Sequence, residues 1–170
     1  ALTAGTIVGN QSSCGQSLDP AGFTSSAAAG GMSPPNYTYQ WQSSIDGVNF
    51  TNIANNATST TYNSPAINQT TYFRRSVRSG GCSAFSNMLS VLVGAPVANV
   101  SQPNCTSSTG TVTVPFPASG ITYTITGTSP VTATVTNTTG IFSGLTPGDY
   151  EVRFIAAAAC VSLPTSVTVN

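Results

Sequence analysis

The chain has 170 residues with no histidine, no lysine and four arginines balanced by four acids, so its formal net charge is zero. Most of the groups that move protons, activate a Ser or Thr nucleophile or ligate metals are therefore missing, as are the clustered cations that nucleic acid or an anionic membrane requires. The composition predicts no enzyme, no cofactor, no metal site, no nucleic-acid partner and no membrane insertion; the longest apolar stretch, Phe154 to Val161, falls far short of the roughly 20 residues of a spanning helix.

Alternating runs of Thr and β-branched residues predict strands throughout. In the first half, Thr6-Ile7-Val8 opens the series. Tyr37, Tyr39 and Trp41 then share one face of a strand whose other face carries Thr38, Gln40 and Gln42. Asp46-Gly47 supplies a turn before a strand over 49–53, and Thr60-Thr61-Tyr62, Thr70 to Arg78 and Asn87 to Val93 follow. Gly94-Ala95-Pro96 breaks the pattern, which places a boundary between domains 1–94 and 95–170. In the second half, runs over 110–114, 121–125, 131–135, 140–145, 150–155 and 166–169 read as half-buried antiparallel strands. The alanines from Ala156 to Ala159 are too few for a stable helix and read as a strand end and loop. The fold class expected is all-β: two tandem antiparallel β-sandwiches of immunoglobulin type, with Trp41 as the buried central-strand Trp.

Cys14, Cys82, Cys105 and Cys160 lack His companions and Cys-x-x-Cys spacing, which leaves disulfides. Three pairings are possible. The domain boundary favours Cys14 with Cys82 and Cys105 with Cys160, one bridge per domain, each closing a loop whose unfolded-state entropy is worth roughly 4 kcal/mol. Such bridges persist in an oxidising compartment, so an extracellular, cell-surface location is expected, with any export signal removed or upstream.

The segments Tyr39-Gln40-Trp41-Gln42, Asp46-Gly47, Thr70-Thr71-Tyr72-Phe73-Arg74-Arg75 and Gly81-Cys82 resemble the Ig-like or PKD-like repeats of giant surface proteins of Bacteroidota. Those of the second half, Gln102-Pro103-Asn104-Cys105 and Phe142-Ser143-Gly144-Leu145-Thr146-Pro147-Gly148-Asp149-Tyr150, are similar to repeats of the gliding adhesin SprB. The resemblance implies export by type IX secretion, a role in adhesion or gliding motility, and surface polysaccharide as a partner.

Among side chains that could touch a ligand, Tyr39 and Trp41 offer aromatic faces to a sugar, although the core claims that strand face more readily. Arg74 and Arg78 form the basic cluster with Arg75, which alternation sends to the opposite face. Asp46 and Asp149 read as turn residues; the carboxylates are too dispersed for a calcium loop, and Asp149 and Glu151, two positions apart on one strand face, lack the second wall that glycoside hydrolysis needs. The reading expected is a non-catalytic structural and adhesive module whose partners are neighbouring copies or adjacent repeats. Alternatives are a self-assembling filament subunit joined by strand addition and a carbohydrate-binding module.

Overall fold

The computed structural model describes residues 1–32, 36–55, 57–157 and 160–170. Among these residues every regular element of length is a β-strand, sixteen in chain order from β1 (Ile7–Val8) to β16 (Thr165–Val169), and the strand pairings with an assigned register are antiparallel. The all-β expectation holds. Among the described residues no helix is long and apolar enough to cross a membrane.

The chain forms two compact units. The first comprises Ala1–Gln11, Leu18–Ile67 and Thr71–Val91; the second comprises Ser12–Ser17, Asn68–Thr70 and Leu92–Asn170. The last break in the chain falls between Val91 and Leu92, and two short segments of the first half gather with the second unit, which a cut at one point does not anticipate.

In the first unit, β4 (Thr38–Ser44) and β6 (Thr71–Ser79) are central in a sheet ordered β2-β8-β6-β4-β5, where β2 is Gln11–Ser13, β5 is Thr51–Asn52 and β8 is Leu89–Val93; β7 (Cys82–Phe85) continues along β6 beside β8. Over its inner face lies a thin second layer. There β1 pairs with β3 (Thr24–Ser25), and the bridges Leu18 to Ile67 and Phe23 to Tyr62 add a third segment. Tyr62 is therefore held by a single bridge rather than the strand expected over 60–62. Phe23, Trp41, Tyr62 and Phe73 fill the space between layers, with ring centroids 4.9 to 6.2 Å apart. Trp41 is wholly buried and its indole N–H donates to the Ser59 carbonyl at 2.9 Å, so both its apolar body and its one polar atom are satisfied.

In the second unit, β9 (Asn99–Ser101), β10 (Gly110–Thr113) and β13 (Ile141–Leu145) form one sheet. The other runs β12 (Thr134–Asn137), β11 (Thr122–Ser129), β14 (Gly148–Ala156), with β15 (Cys160–Val161) and β16 both paired to β14. Val112 and Phe142 from the first sheet meet Tyr123, Ile125, Val152 and Phe154 from the second in one core. Alternation produces this: on β14 the residues at 150, 152, 154 and 156 are buried and the intervening ones are not. Tyr150, at the start of β14, donates its hydroxyl proton to the Thr146 carbonyl at 2.7 Å, the corner tyrosine of immunoglobulin-type sandwiches. Asp149, expected in a turn, lies on β14 and accepts from Thr168 Oγ1 at 2.8 Å. Of the alanine run, Ala156 ends β14, and Ala158 and Ala159 lie outside the described residues.

The two units repeat one topology. Apart from β2, which lies beside β8 in the first, the first, second and fifth segments of each make one layer, and the third, fourth, sixth and an interrupted last strand make the other. The interruption is built identically. Ser86 donates its N–H to the Arg75 carbonyl at 3.0 Å, accepts the Arg75 N–H on its hydroxyl at 2.9 Å, and turns that hydroxyl to the Asn87 carbonyl. Ser162 does the same with Phe154 and the Leu163 carbonyl, at 2.9, 2.9 and 2.8 Å.

The disulfide pairing differs from expectation. Cys14 is bonded to Cys160, and Cys82 and Cys105 are free and exposed. Neither expected pair can close, because its two cysteines lie at opposite ends of the strands. Cys82 follows the Ser79 end of β6, whereas the Gly94 N–H, beyond the Thr71 end, donates to the carbonyl of Gly15, next to Cys14. Cys160 follows the Ala156 end of β14, whereas Gln102, near Cys105, bonds Thr168, which pairs with the Gly148 end. A nine-residue strand spans about 30 Å, far beyond the roughly 7 Å that a disulfide tolerates between Cα atoms.

Candidate functional site

Alternation on β4 and β6 divides the first unit's arginines. Arg74 and Arg78 rise from the outer face of β6 and Arg75 from the inner one. Trp41 faces inward and is sealed from solvent, so it belongs to the core and not to a sugar-stacking platform; Tyr39 is half-buried and packs on the small cluster of Ala4, Ala28 and Val77.

On the outer face, the Arg74 guanidinium lies between two rings, 4.1 Å from the Phe50 centroid and 4.0 Å from that of Phe85. Its Nε donates to Gln42 Oε1 at 2.7 Å, and the Gln42 amide in turn donates to Asn52 Oδ1 at 2.8 Å. Burial between the rings pulls the Arg74 pKa below its ordinary value. Beside this stack runs an open groove of about 420 Å³, bounded by Tyr39, Gln40, Gln42, Asn52, Arg78 and Phe85. Phe85 is 52% exposed. Amides, hydroxyls, one exposed cation and an aromatic rim make a surface suited to hydrogen bonding and stacking. Among the described residues no three potential metal ligands come together.

The sequence pattern singled out Arg74 and Arg78 for this face and missed Phe50 and Phe85. For Phe85 the signal was available only as strand pairing, since it lies opposite Ser76 on β6, a residue of the Arg74 face.

The inner face holds Arg75, fully buried. Its Nη1 donates to the Ser25 hydroxyl and to the Thr60 carbonyl at 2.8 Å; Nη2 donates to the carbonyls of Ala4 at 2.6 Å and Ser26 at 3.0 Å. The Tyr39 ring lies 4.7 Å away, while Nε has no hydrogen-bond partner among the described residues. Desolvation lowers the Arg75 pKa and Tyr39 opposes the shift. One side chain from the sixth segment thereby grips the first, second and fifth segments of the opposite layer, the work that an inter-sheet disulfide does in antibody domains. Gly5 makes this approach possible. Its φ is 69°, and a Cβ there would come within 2.6 Å of the Ser26 and Ala27 carbonyl oxygens.

The structure thus defines a chain of two antiparallel β-sandwiches that repeat one strand order. Residues 3–95, just over half of the chain, match the family described as Domain of unknown function (DUF8696), and the chain belongs to that family. No curated protein matches it. Among solved structures it is similar to the selenomethionine-substituted chicken interferon gamma receptor alpha chain, at 12% identity over 97% of each chain with a TM-score of 0.31, a likeness too distant to bear on function.

Proposed function

We propose that this protein is a non-catalytic structural module of an extracellular repetitive protein or fibre, with an adhesive role at the cell surface. The observation that carries this reading is the repeat: one sandwich topology with one serine clasp, used twice in a single chain. Tandem sandwiches extend a chain by stacking copies of a unit, and antiparallel ladders resist shear. The Cys14–Cys160 bridge suits an oxidising environment, and near-absence of charge lets copies pack closely without self-repulsion. The resemblance to Bacteroidota surface repeats supports the same reading and suggests type IX export. Immunogold labelling of intact cells tests it. Labelled extracellular threads or surface layers are expected, and label confined to the cytoplasm overturns it.

A second reading, a carbohydrate-binding module, draws on the groove beside Arg74 and Phe85. On a glycan array it predicts binding that Phe85→Ala removes while the fold persists.

A further inference from the structure

The outer face of the first unit's main sheet carries charge of one sign. Arg74 and Arg78 both rise from β6 there, and among the described residues no carboxylate lines the groove beside them. Arg74 is already committed, its guanidinium held between Phe50 and Phe85 and its Nε bonded to Gln42. Arg78 is not. It is exposed, and among the described residues its guanidinium has no hydrogen-bond or ion-pair partner, whereas Arg153 on the second unit is paired with Glu151. Across the strands Arg78 shares a row with Thr38 and Ser83, and the next row holds Ser76 and Phe85. The rows lie two residues apart along β6, about 7 Å. The hydroxyls of Thr38, Ser76 and Ser83 make no side-chain hydrogen bond among the described residues, and Phe85 rests on Arg74 with half its surface open to solvent.

We propose that this groove takes an acidic polysaccharide: Arg78 pairs with an anionic group on one sugar, a uronate carboxylate or a sulfate ester, while the Phe85 ring stacks on the neighbouring unit. A guanidinium presents a planar fork of donors that matches paired anionic oxygens. The hydroxyls around it suit the hydroxyls of a sugar. A peptide fits less well, because β4 and β6 are each paired on both sides and the groove lies on a sheet face, so no unpaired strand edge meets a peptide backbone. One free cation is too few for nucleic acid. The proposal rests on the carbohydrate-binding reading of this groove and adds the charge of its ligand.

The test is affinity electrophoresis of the full chain in gels containing polygalacturonate, its methyl-esterified form, dextran sulfate, neutral dextran or polyglutamate. Retardation by polygalacturonate or by dextran sulfate is expected, and which of the two retards it tells carboxylate from sulfate. Esterification should abolish the effect of the galacturonan, and about 0.5 M NaCl should weaken binding to either polyanion. Arg78→Gln should reduce affinity about tenfold, Phe85→Ala should reduce it at least as far, and Arg153→Gln on the second unit should leave it unchanged. Trp41 fluorescence and thermal melts confirm that each variant folds. Equal retardation by the esterified polymer, or affinity unmoved by Arg78→Gln, overturns the acidic ligand; if Phe85→Ala still removes binding, the carbohydrate reading stands alone. Equal, Arg78-dependent retardation by polyglutamate overturns the glycan in favour of a peptide. Retardation by none of these polymers overturns the acidic ligand, and silence on a neutral glycan array as well removes the carbohydrate reading with it.

Discussion

Arg75 carries a positive charge into the interior, where its four hydrogen bonds all end on neutral oxygens. Two opposing terms meet there: desolvation of the cation, and satisfaction of carbonyls from three segments of the facing layer. The multiplicity of acceptors favours the second. Arg75→Met should therefore lose about 3 kcal/mol in equilibrium denaturation followed by Trp41 fluorescence, while Arg78→Ala on the outer face costs under about 0.5 kcal/mol. A gain in stability for Arg75→Met would show that desolvation dominates. Asp46 provides a pH-dependent counterpart. Its carboxylate accepts from the Ser44 hydroxyl at 2.6 Å, from the Asn49 and Val48 N–H groups at 2.8 and 2.9 Å, and from the Asn49 side chain. These bonds hold its pKa well below the ordinary 3.8, so below that pH the unfolded state takes up the proton first. The contribution is complete above pH 3.8 and drains away as pH falls beneath it. Acid titration of the unfolding midpoint should show this decline, flattened in Asp46→Asn.

The serine clasps decide how the last strand of each repeat changes register without leaving a buried N–H unpaired. At Ser162, 2% exposed, the hydroxyl satisfies the Phe154 N–H inside the core. Removing it strands that donor, so Ser162→Ala should lower stability by about 1–3 kcal/mol. Ser86→Ala, at a half-buried clasp, should cost less, because removing the Ser86 hydroxyl there opens a place for water to take over the Arg75 N–H. Thermal melts of the two variants check the order, and equal losses would contradict it. The ion pair between Arg153 and Glu151, 3.0 Å apart and two residues apart on the outer face of β14, contributes little by comparison.

At the scale of the molecule, the Cys14–Cys160 bridge joins residues 146 apart. In the loop-closure picture, a link of that span removes unfolded-chain entropy worth about 5 kcal/mol. Reduction should therefore lower the denaturation midpoint substantially, and the Cys14→Ser, Cys160→Ser double variant should match the reduced protein. A midpoint unmoved by reductant would mean that the bridge constrains little.

The amino-acid sequence by itself determined the strands and their faces. Val112, Ile125 and Val152 alternate with polar neighbours, and a period of two is a local property that needs no partner to be read. It likewise separated Arg75 from Arg74 and Arg78, and placed Trp41 on a core-facing strand. Only the tertiary structure decided which elements meet. The Arg74 stack needed Phe50 brought in just before β5 and Phe85 on β7, the Arg75 grip needed a second layer, and the cysteine pairing needed the ends of the strands located in space. Hairpins and faces follow from short-range geometry, whereas a disulfide or a cross-layer hydrogen bond depends on distances between residues far apart in the chain, which spacing along the sequence does not encode.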